Sequence, residues 1–303
     1  MEGEDLELFE RSIRGAVARD DIDAALEEVG WTEALSLEPR AAVSVLFSRQ
    51  GEAGRTSSAL DHVLRSALGL DAPVVLPAPG SATPPGRLHG DRLAVHGLLL
   101  GSADVAVVVA GDVAVRVPMT ELSRRSVEGV DPWLGLVEVT GEVAAAEVQP
   151  MPGWAAAVAL GQVAVGHELV GASRKMLALA RQHALEREQF GQPVAAFQAI
   201  RHRLAETLVA IETADAVLDA AWLDRSPQTA AMAKALAGRG ARTTARHCQQ
   251  VLAGVGFTTE HDLHRYVRRT LVLDQLLGSA RALTRQLGDD LLATRKLPPL
   301  LPL

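Results

Sequence analysis

The chain has 303 residues, of which 48% are hydrophobic, and carries a net charge of −7. A chain of this length and apolar content can bury a large core in two or three structural units, which excludes a disordered protein. The acidic balance gives no global basic field, so we expect no nucleic-acid partner. Arg265, Arg268 and Arg269 are candidates for a local basic patch.

Cys248 is the single cysteine, which rules out an intramolecular disulfide. His261, Asp262 and His264 fall short of the ligand number of a closed zinc site, so we expect no metal. The first residues, MEGEDLELFERSIR, are acidic and contain no apolar signal core. No apolar run reaches the roughly 18 residues that a membrane span requires. We therefore expect a cytoplasmic protein without a membrane partner.

The first half of the chain changes in pattern from helical to β. Residues 1–71 are helical in periodicity, with Leu6, Phe9 and Ile13 on one face. Residues 72–150 contain helix-breaking prolines and short valine runs, which predict a compact antiparallel β unit.

Residues 151–303 are helical again and predict a four-helix bundle, so the fold class is α+β and mainly α. Its tail, KLPPLLPL, could be an extended docking segment or an ordinary packed terminus. One predicted apolar stripe consists of Leu204, Leu208, Ile211, Leu218 and Trp222.

Two stretches of this last region carry motifs. Residues 178–204 read ALARQHALEREQFGQPVAAFQAIRHRL and resemble the signature of the acyl-CoA dehydrogenase flavoproteins. Residues 250–269 read QVLAGVGFTTEHDLHRYVRR and resemble a second motif of that family, with Ala253 where the first of two glycines is usual. The resemblance implies N-terminal helices, a middle β domain, a C-terminal four-helix bundle, and FAD as cofactor.

In that family both segments reach across a subunit interface to the diphosphate and adenosine of a neighbour's FAD. The resemblance therefore implies cofactor contacts by Arg187, Gln189, Phe190, Gln198, Gln250 and Gly254. A guanidinium suits phosphate oxygens because it offers a planar fork of donors, and glycine lets a backbone N–H approach closely. The alternatives are a surface pair of Arg187 with Glu186 or Glu188, burial of Phe190 in the bundle, and ordinary helix-surface amides for the glutamines.

The catalytic glutamate of the family is missing. Its usual position carries Leu277, and its alternative position on an earlier helix carries Gly161. The family's flavin-facing loop, Thr-Glu-Pro followed by Gly-Ser-Asp, has no counterpart at residues 78–85. Desaturation of a thioester needs a base at Cα while hydride leaves Cβ for the flavin, so a subunit without a base borrows one or does something else.

Glu260 and His261 are candidates for a displaced base in this chain. The alternative is that both are exposed polar residues beside a helix start that Thr258 or Thr259 caps.

Such half-degenerate chains resemble subunits of heterotetrameric acyl-CoA dehydrogenases of actinobacterial steroid side-chain degradation. The resemblance implies an α2β2 enzyme in which this chain supplies FAD contacts and a full-length acyl-CoA dehydrogenase subunit supplies the glutamate. The implied substrate is a bulky acyl-CoA, such as a steroid side-chain CoA ester, and the implied electron acceptor is an electron-transfer flavoprotein or a similar protein. Two alternatives stay open: a non-catalytic scaffold of the same fold, and a homo-oligomeric enzyme that uses Glu260 or His261.

Overall fold

A computed structural model describes residues 3–295 of the chain. In this part, five α-helices precede a β unit and five follow it. The KLPPLLPL tail lies outside the described residues.

The N-terminal helices begin and end at residues that suit those positions. The carboxylate of Asp21 accepts the N–H of Ala24 (3.0 Å) and caps the second helix, Pro39 begins the fourth, and Gly54 ends it in the left-handed region. As predicted, Ile13 is buried in the first helix, with the other two apolar residues of its face packed against the core. The helices are α1 (Glu4–Val17), α2 (Ile22–Glu28), α3 (Trp31–Leu37), α4 (Pro39–Ala53) and α5 (Ala59–Leu68).

The β unit is antiparallel, as predicted, and consists of two sheets that share an apolar core. Their strands are β1 (Leu76–Pro77), β2 (Gly86–His89), β3 (Arg92–Leu100), β4 (Val105–Ala110), β5 (Val113–Pro118), β6 (Ser123–Ser126), β7 (Leu136–Ala144) and β8 (Gln149–Pro150). One sheet has the order β1-β3-β7-β6 with β2 also paired to β3, and the other has the order β4-β5-β8. Period-two burial is clear on β5, where exposed Arg116 separates buried Val115 from buried Val117.

The C-terminal region is a helical bundle around α6, which packs against α4, α5, α7, α8 and α9, while α10 packs on α8. Its helices are α6 (Trp154–Glu186), α7 (Gln198–Asp224), α8 (Pro227–Leu252), α9 (Leu263–Leu273) and α10 (Ala280–Thr294). A small hairpin, β9 (Glu188–Gln189) with β10 (Gln192–Pro193), interrupts the helices after α6.

The predicted stripe on α7 is wrong at Leu208, which is 48% exposed, although Ile211, Leu218 and Trp222 are buried. The reason is that Thr207 faces the bundle there, with its hydroxyl bonded to Nδ1 of His247 (3.0 Å). The next residue of a helix points about 100° away from that direction.

α6 is long and apolar enough to cross a bilayer, but 83% of its apolar window is buried inside the protein. The helix thus forms the centre of the core. One apolar cluster extends from Ile13 through α6 to Leu277, so both helical groups share it. The division of the chain at residues 71/72 and 150/151 stays a prediction.

Candidate functional site

The two motif segments lie at the same end of α6. The helix ends at Glu186, and Arg187 follows in extended backbone with its N–H donated to the carbonyl of His183 (2.9 Å). Both segments pack into one apolar cluster that includes Ala180, Ala184, Val251, Leu252 and Leu263. The fold therefore places the first motif against the second.

Phe190 lies at the tip of the β9–β10 hairpin. Its φ of 54° is unusual for a residue with a side chain, whereas the next residue, Gly191, adopts 79° without strain. The Phe190 ring is 93% exposed and meets the edge of the Phe197 ring, with centroids 6.3 Å apart. Burial of Phe190 in the bundle is therefore wrong. A large exposed ring on a strained turn is typical of a contact surface.

The guanidinium of Arg187 is exposed and has no ion-pair partner among residues 3–295. Glu186 instead accepts a hydrogen bond from Gln182 (3.0 Å), so the predicted surface pair does not form there. The side chain of Gln189 donates to the carbonyl of Glu188 (2.6 Å). Arg187 is thus free to meet an anion that comes from outside the chain.

Gly254 follows the last turn of α8, and nothing in the chain requires a glycine there. A Cβ added to it would have no atom within 4 Å, so the space beside its backbone is open. Ala253 has φ 53° and ψ −133°, a backbone that favours glycine, and stands where the family usually has one. Gln198 and Gln250 are exposed at the start of α7 and the end of α8, so the helix-surface alternative stays open for both.

His261 takes a structural role that the sequence did not predict. Its Nδ1 accepts the N–H of Leu263 (3.1 Å) at the start of α9, where we had expected Thr258 or Thr259 to cap the helix. Thr258 instead accepts the N–H of Glu260 (3.4 Å). In the described part of the chain, no group of three or more His, Cys, Asp or Glu could hold a metal ion.

The two residues that the family resemblance places at the glutamate positions touch each other. A Cβ added to Gly161 would lie 2.5 Å from Cδ1 of Leu277 and 3.3 Å from Cδ2 of Leu64. Leu277 is 1% exposed, and its carbonyl accepts the side-chain N–H of Gln162 (2.9 Å). The region that would receive a carboxylate is filled by apolar atoms.

Leu277 and His261 contact residues of α6 that lie far apart along the helix axis. Leu277 contacts Gly161, whereas His261 contacts His183 near the helix end. At about 1.5 Å per residue, these contacts are about 33 Å apart along the helix axis. Glu260 and His261 are therefore remote from both positions where the family carries its base.

Lys234, which the sequence did not single out, holds the turn after α9. Its Nζ donates to the carbonyls of Asp274 and Gly278, at 3.2 Å each. Burial lowers the pKa of Lys234 to about 8. The one sequence signal is a lysine within an alanine-rich helix, which is equally typical of an exposed position.

Residues 78–85, at the position of the family's flavin-facing loop, are bonded to the same turn. The N–H of Gly80 donates to the carbonyl of Gln275 (2.8 Å), and the Gly80 carbonyl accepts the N–H of Ser279 (3.3 Å). The loop also lines a cavity of about 340 Å³ together with Ala94 and His96. The backbone N–H and carbonyl of Gly80 are therefore hydrogen-bonded within the chain.

The expected basic patch is wrong at Arg269, which is buried. The guanidinium pairs with Asp131 and Glu168 and donates to Thr56 (2.8 Å). Burial raises the pKa of Glu168 to about 7, although Arg269 and a hydrogen bond from Gln50 oppose the shift. Charges from the β unit and the bundle thus meet in one buried network, to which the N-terminal region adds the neutral side chains of Gln50 and Thr56.

Comparison with known proteins agrees with this geometry. Residues 154–292 match the family model described as acyl-CoA dehydrogenase, C-terminal domain. Acyl-CoA dehydrogenase IpdE2 of Mycobacterium tuberculosis is 32% identical over 252 residues, which is 73% of this chain and 77% of that protein. Acyl-CoA dehydrogenase FadE34 of the same organism is 37% identical over 151 residues, 44% of this chain and 21% of that protein.

Solved structures with the same fold include assemblies of two different chains. A chain of the steroid ACAD variant Tcur3481-Tcur3483 matches with a TM-score of 0.75 at 20% identity, covering 97% of this chain and 99% of that one. A chain of the ChsE4-ChsE5 complex from Mycobacterium tuberculosis matches with a TM-score of 0.72 at 20% identity, covering 98% and 99%. These likenesses concern the fold.

The chain belongs to the acyl-CoA dehydrogenase family. Members of this family are FAD-dependent oxidoreductases that act on the CH–CH group of acyl-CoA thioesters, which is the class of enzyme to which the chain belongs.

Proposed function

We propose that this chain is the partner subunit of a heteromeric acyl-CoA dehydrogenase, and that a second, full-length subunit supplies the catalytic glutamate. The observation that carries the proposal is the contact of Leu277 with Gly161. Both positions of the base are apolar and packed against each other, so this half of the assembly has no group there that takes a proton from Cα.

The residues at the end of α6 fit the diphosphate of an FAD that another subunit holds. Arg187 is exposed and unpaired among the described residues, and a guanidinium gives phosphate oxygens two parallel, charge-assisted N–H contacts. The backbone at Gly254 is open to approach. Phe190, Gln189, Gln198 and Gln250 complete the proposed contact surface.

Residues 78–85 of this chain, at the position of the family's flavin-facing loop, do not fit the cofactor in the same way. The N–H and the carbonyl of Gly80 are both hydrogen-bonded to the turn that contains Leu277, so neither group is available to an isoalloxazine ring. When FAD is bound in the complex, it accepts the hydride from the substrate's Cβ. Fewer active sites than subunits follow from the proposal.

The proposed substrate is a bulky acyl-CoA, such as a steroid side-chain CoA ester, and the proposed assembly is an α2β2 heterotetramer in the cytoplasm. Support comes from the fold shared with a steroid ACAD and with a complex of two named chains. We further propose an electron-transfer flavoprotein or a similar protein as the acceptor.

Neither the homo-oligomeric enzyme with a displaced base nor the non-catalytic scaffold accounts for these residues as well as the partner-subunit proposal does. A displaced base at Glu260 or His261 lies about 33 Å along α6 from the Leu277 position, by the helical rise. A pure scaffold gives no reason for an Arg187 without an ion-pair partner among residues 3–295, or for the open space at Gly254.

Co-expression with a full-length family member that carries the glutamate tests the proposal. We expect this chain alone to be colourless or unstable, and the co-purified complex to be yellow with the native mass of a heterotetramer. Stoichiometric FAD in a homogeneous homo-oligomer of this chain would overturn the proposal.

A further inference from the structure

Two imidazole rings meet at the end of α6 that carries Arg187. His183 lies in the last turn of α6 and His261 lies just before α9. Their ring centroids are 6.4 Å apart and the rings are perpendicular. Neither residue is fully buried, and the FAD contacts proposed above use neither of them.

The local hydrogen bonds determine which nitrogen of His261 carries the proton. Because Nδ1 accepts the N–H of Leu263, the neutral ring carries its proton on Nε2. Within residues 3–295, neither this N–H nor the ring of His183 has a hydrogen-bond partner. Donor capacity is therefore unused close to Arg187.

The charges that act on His183 are mostly positive. Burial lowers its pKa, neighbouring His261 and Arg187 lower it further, and Glu186 acts in the opposite direction. Of the other segments packed against the end of α6, the β9–β10 hairpin contains Glu188, and residues 194–196 contain no titratable group. The charged or titratable residues nearest in sequence to the packed positions of α7 and α8 are Arg201, His202, Arg203, Arg246, His247 and Cys248. The other charged or titratable side chains of the 260–265 segment are Glu260, Asp262, His264 and Arg265.

A metal ion does not fit the two rings. Nδ1 of His261 is occupied by the Leu263 N–H, and the described residues offer no third ligand in a cluster. An anion fits better, because it pairs with Arg187 and at the same time offsets the repulsion between Arg187 and a protonated ring.

We propose that His183 and His261 are part of the diphosphate site together with Arg187, so that the anion is held more tightly when an imidazole is protonated. This inference rests on the proposed function. The ligand class is the diphosphate diester of a dinucleotide. His261 donates from Nε2, because its Nδ1 accepts the Leu263 N–H, whereas His183 takes up a proton as the anion binds.

ADP-ribose is a suitable probe, since its diphosphate diester keeps its charge while histidine titrates. We would measure its binding to the full chain by calorimetry at about pH 6 and about pH 8. The wild-type protein is expected to bind about fivefold to tenfold more tightly at the lower pH. His183→Asn should remove most of this difference, whereas His261→Asn should weaken binding at both pH values; asparagine at 261 retains a side-chain oxygen for the Leu263 N–H.

His89→Asn is the matched control, because His89 is an exposed histidine of β2, away from this end of α6. It should bind as the wild type does at both pH values. If His183→Asn keeps the wild-type pH dependence and His261→Asn keeps the wild-type affinity while Arg187→Ala binds weakly, the inference is wrong and the proposed function stands. If Arg187→Ala binds as tightly as wild type, the assignment of the diphosphate site itself fails. FAD retention by the co-purified complex at the same two pH values is a second measurement with the same interpretation. It also tests the inference if the diphosphate site forms only when the partner is bound.

Discussion

Leu277 packs directly on Gly161, and the sequence resemblance places these two residues where an acyl-CoA dehydrogenase carries its glutamate. The contact fills the space for the base from both sides. Since a Cβ at residue 161 would lie 2.5 Å from Cδ1 of Leu277, a larger residue there would displace the end of the Leu277 side chain. The pair at these two predicted positions is therefore part of the apolar core.

Gly161→Ala should destabilise the protein by about 1–3 kcal/mol, because the added methyl overpacks the contact. In combination with Leu277→Ala, which alone should cost about 2–5 kcal/mol, the two effects should be far from additive, since each change relieves the other. Urea unfolding of the two single variants and the double variant measures this coupling. Gly288→Ala in α10 is the control, because no atom lies within 4 Å of its added Cβ, and it should be neutral or slightly stabilising. Additive costs for positions 161 and 277 would contradict the packing.

Ala253→Gly should stabilise the fold by about 1 kcal/mol, although glycine usually costs stability. Ala253 has φ 53° and ψ −133°, so the strain relieved by glycine outweighs the extra entropy of the unfolded chain. Gly254→Ala, one residue on, should leave the thermal midpoint nearly unchanged but weaken FAD binding in the complex, because the methyl enters open space. A loss of stability from Ala253→Gly would show that the backbone at this position is unstrained.

Arg187→Ala and Arg187→Lys should each weaken FAD retention in the complex by about 10-fold to 100-fold, because a charge-assisted contact contributes about 1.5–3 kcal/mol. Helix content by circular dichroism should not change. Arg181→Ala, also at the exposed end of α6, is the matched control and should retain FAD. Equal FAD affinity in all three variants would show that Arg187 is an ordinary surface arginine.

Periodicity and motif spacing predict much of this molecule because they are local. The apolar face of α1, the antiparallel β unit of the valine-rich middle region and the helices after residue 151 all follow from residues near one another in sequence. The contact of Leu277 with Gly161 does not, because it depends on the register of two helical segments far apart in the chain. The burial of Lys234 was not predicted for the same reason, since its carbonyl partners lie in a turn that is distant in sequence.

Glu168→Gln should change the pH dependence of stability. The folded pKa of Glu168 is about 7, above the ordinary 4.5, so its contribution is fully present below about pH 4.5 and is lost as the pH rises through about 7. Relative to the variant, the wild-type protein should therefore lose on the order of 3 kcal/mol of unfolding free energy over that window. The neutral amide fits the site because Gln50 can turn its own amide to accept from it, and Ser57 can then accept from Gln50.

Chemical denaturation from about pH 4.5 to pH 8 measures this difference. His167, whose pKa burial lowers to about 4, gives the opposite trend, but it is present in both proteins and cancels from the difference. A constant difference between the two proteins across the window would mean that Glu168 is ionised throughout.

Turnover of the reconstituted complex, measured per bound flavin, tests most directly where the base resides. Replacing the partner's catalytic glutamate with glutamine should lower turnover by roughly 100-fold to 10,000-fold, the usual contribution of a positioned general base. Glu260→Gln in this chain should leave turnover within a few-fold of wild type, because Glu260 lies at the far end of α6 from Leu277 and Gly161. A loss of 100-fold or more from Glu260→Gln, with flavin bound and the partner's glutamate intact, would contradict the account and place the base in this chain.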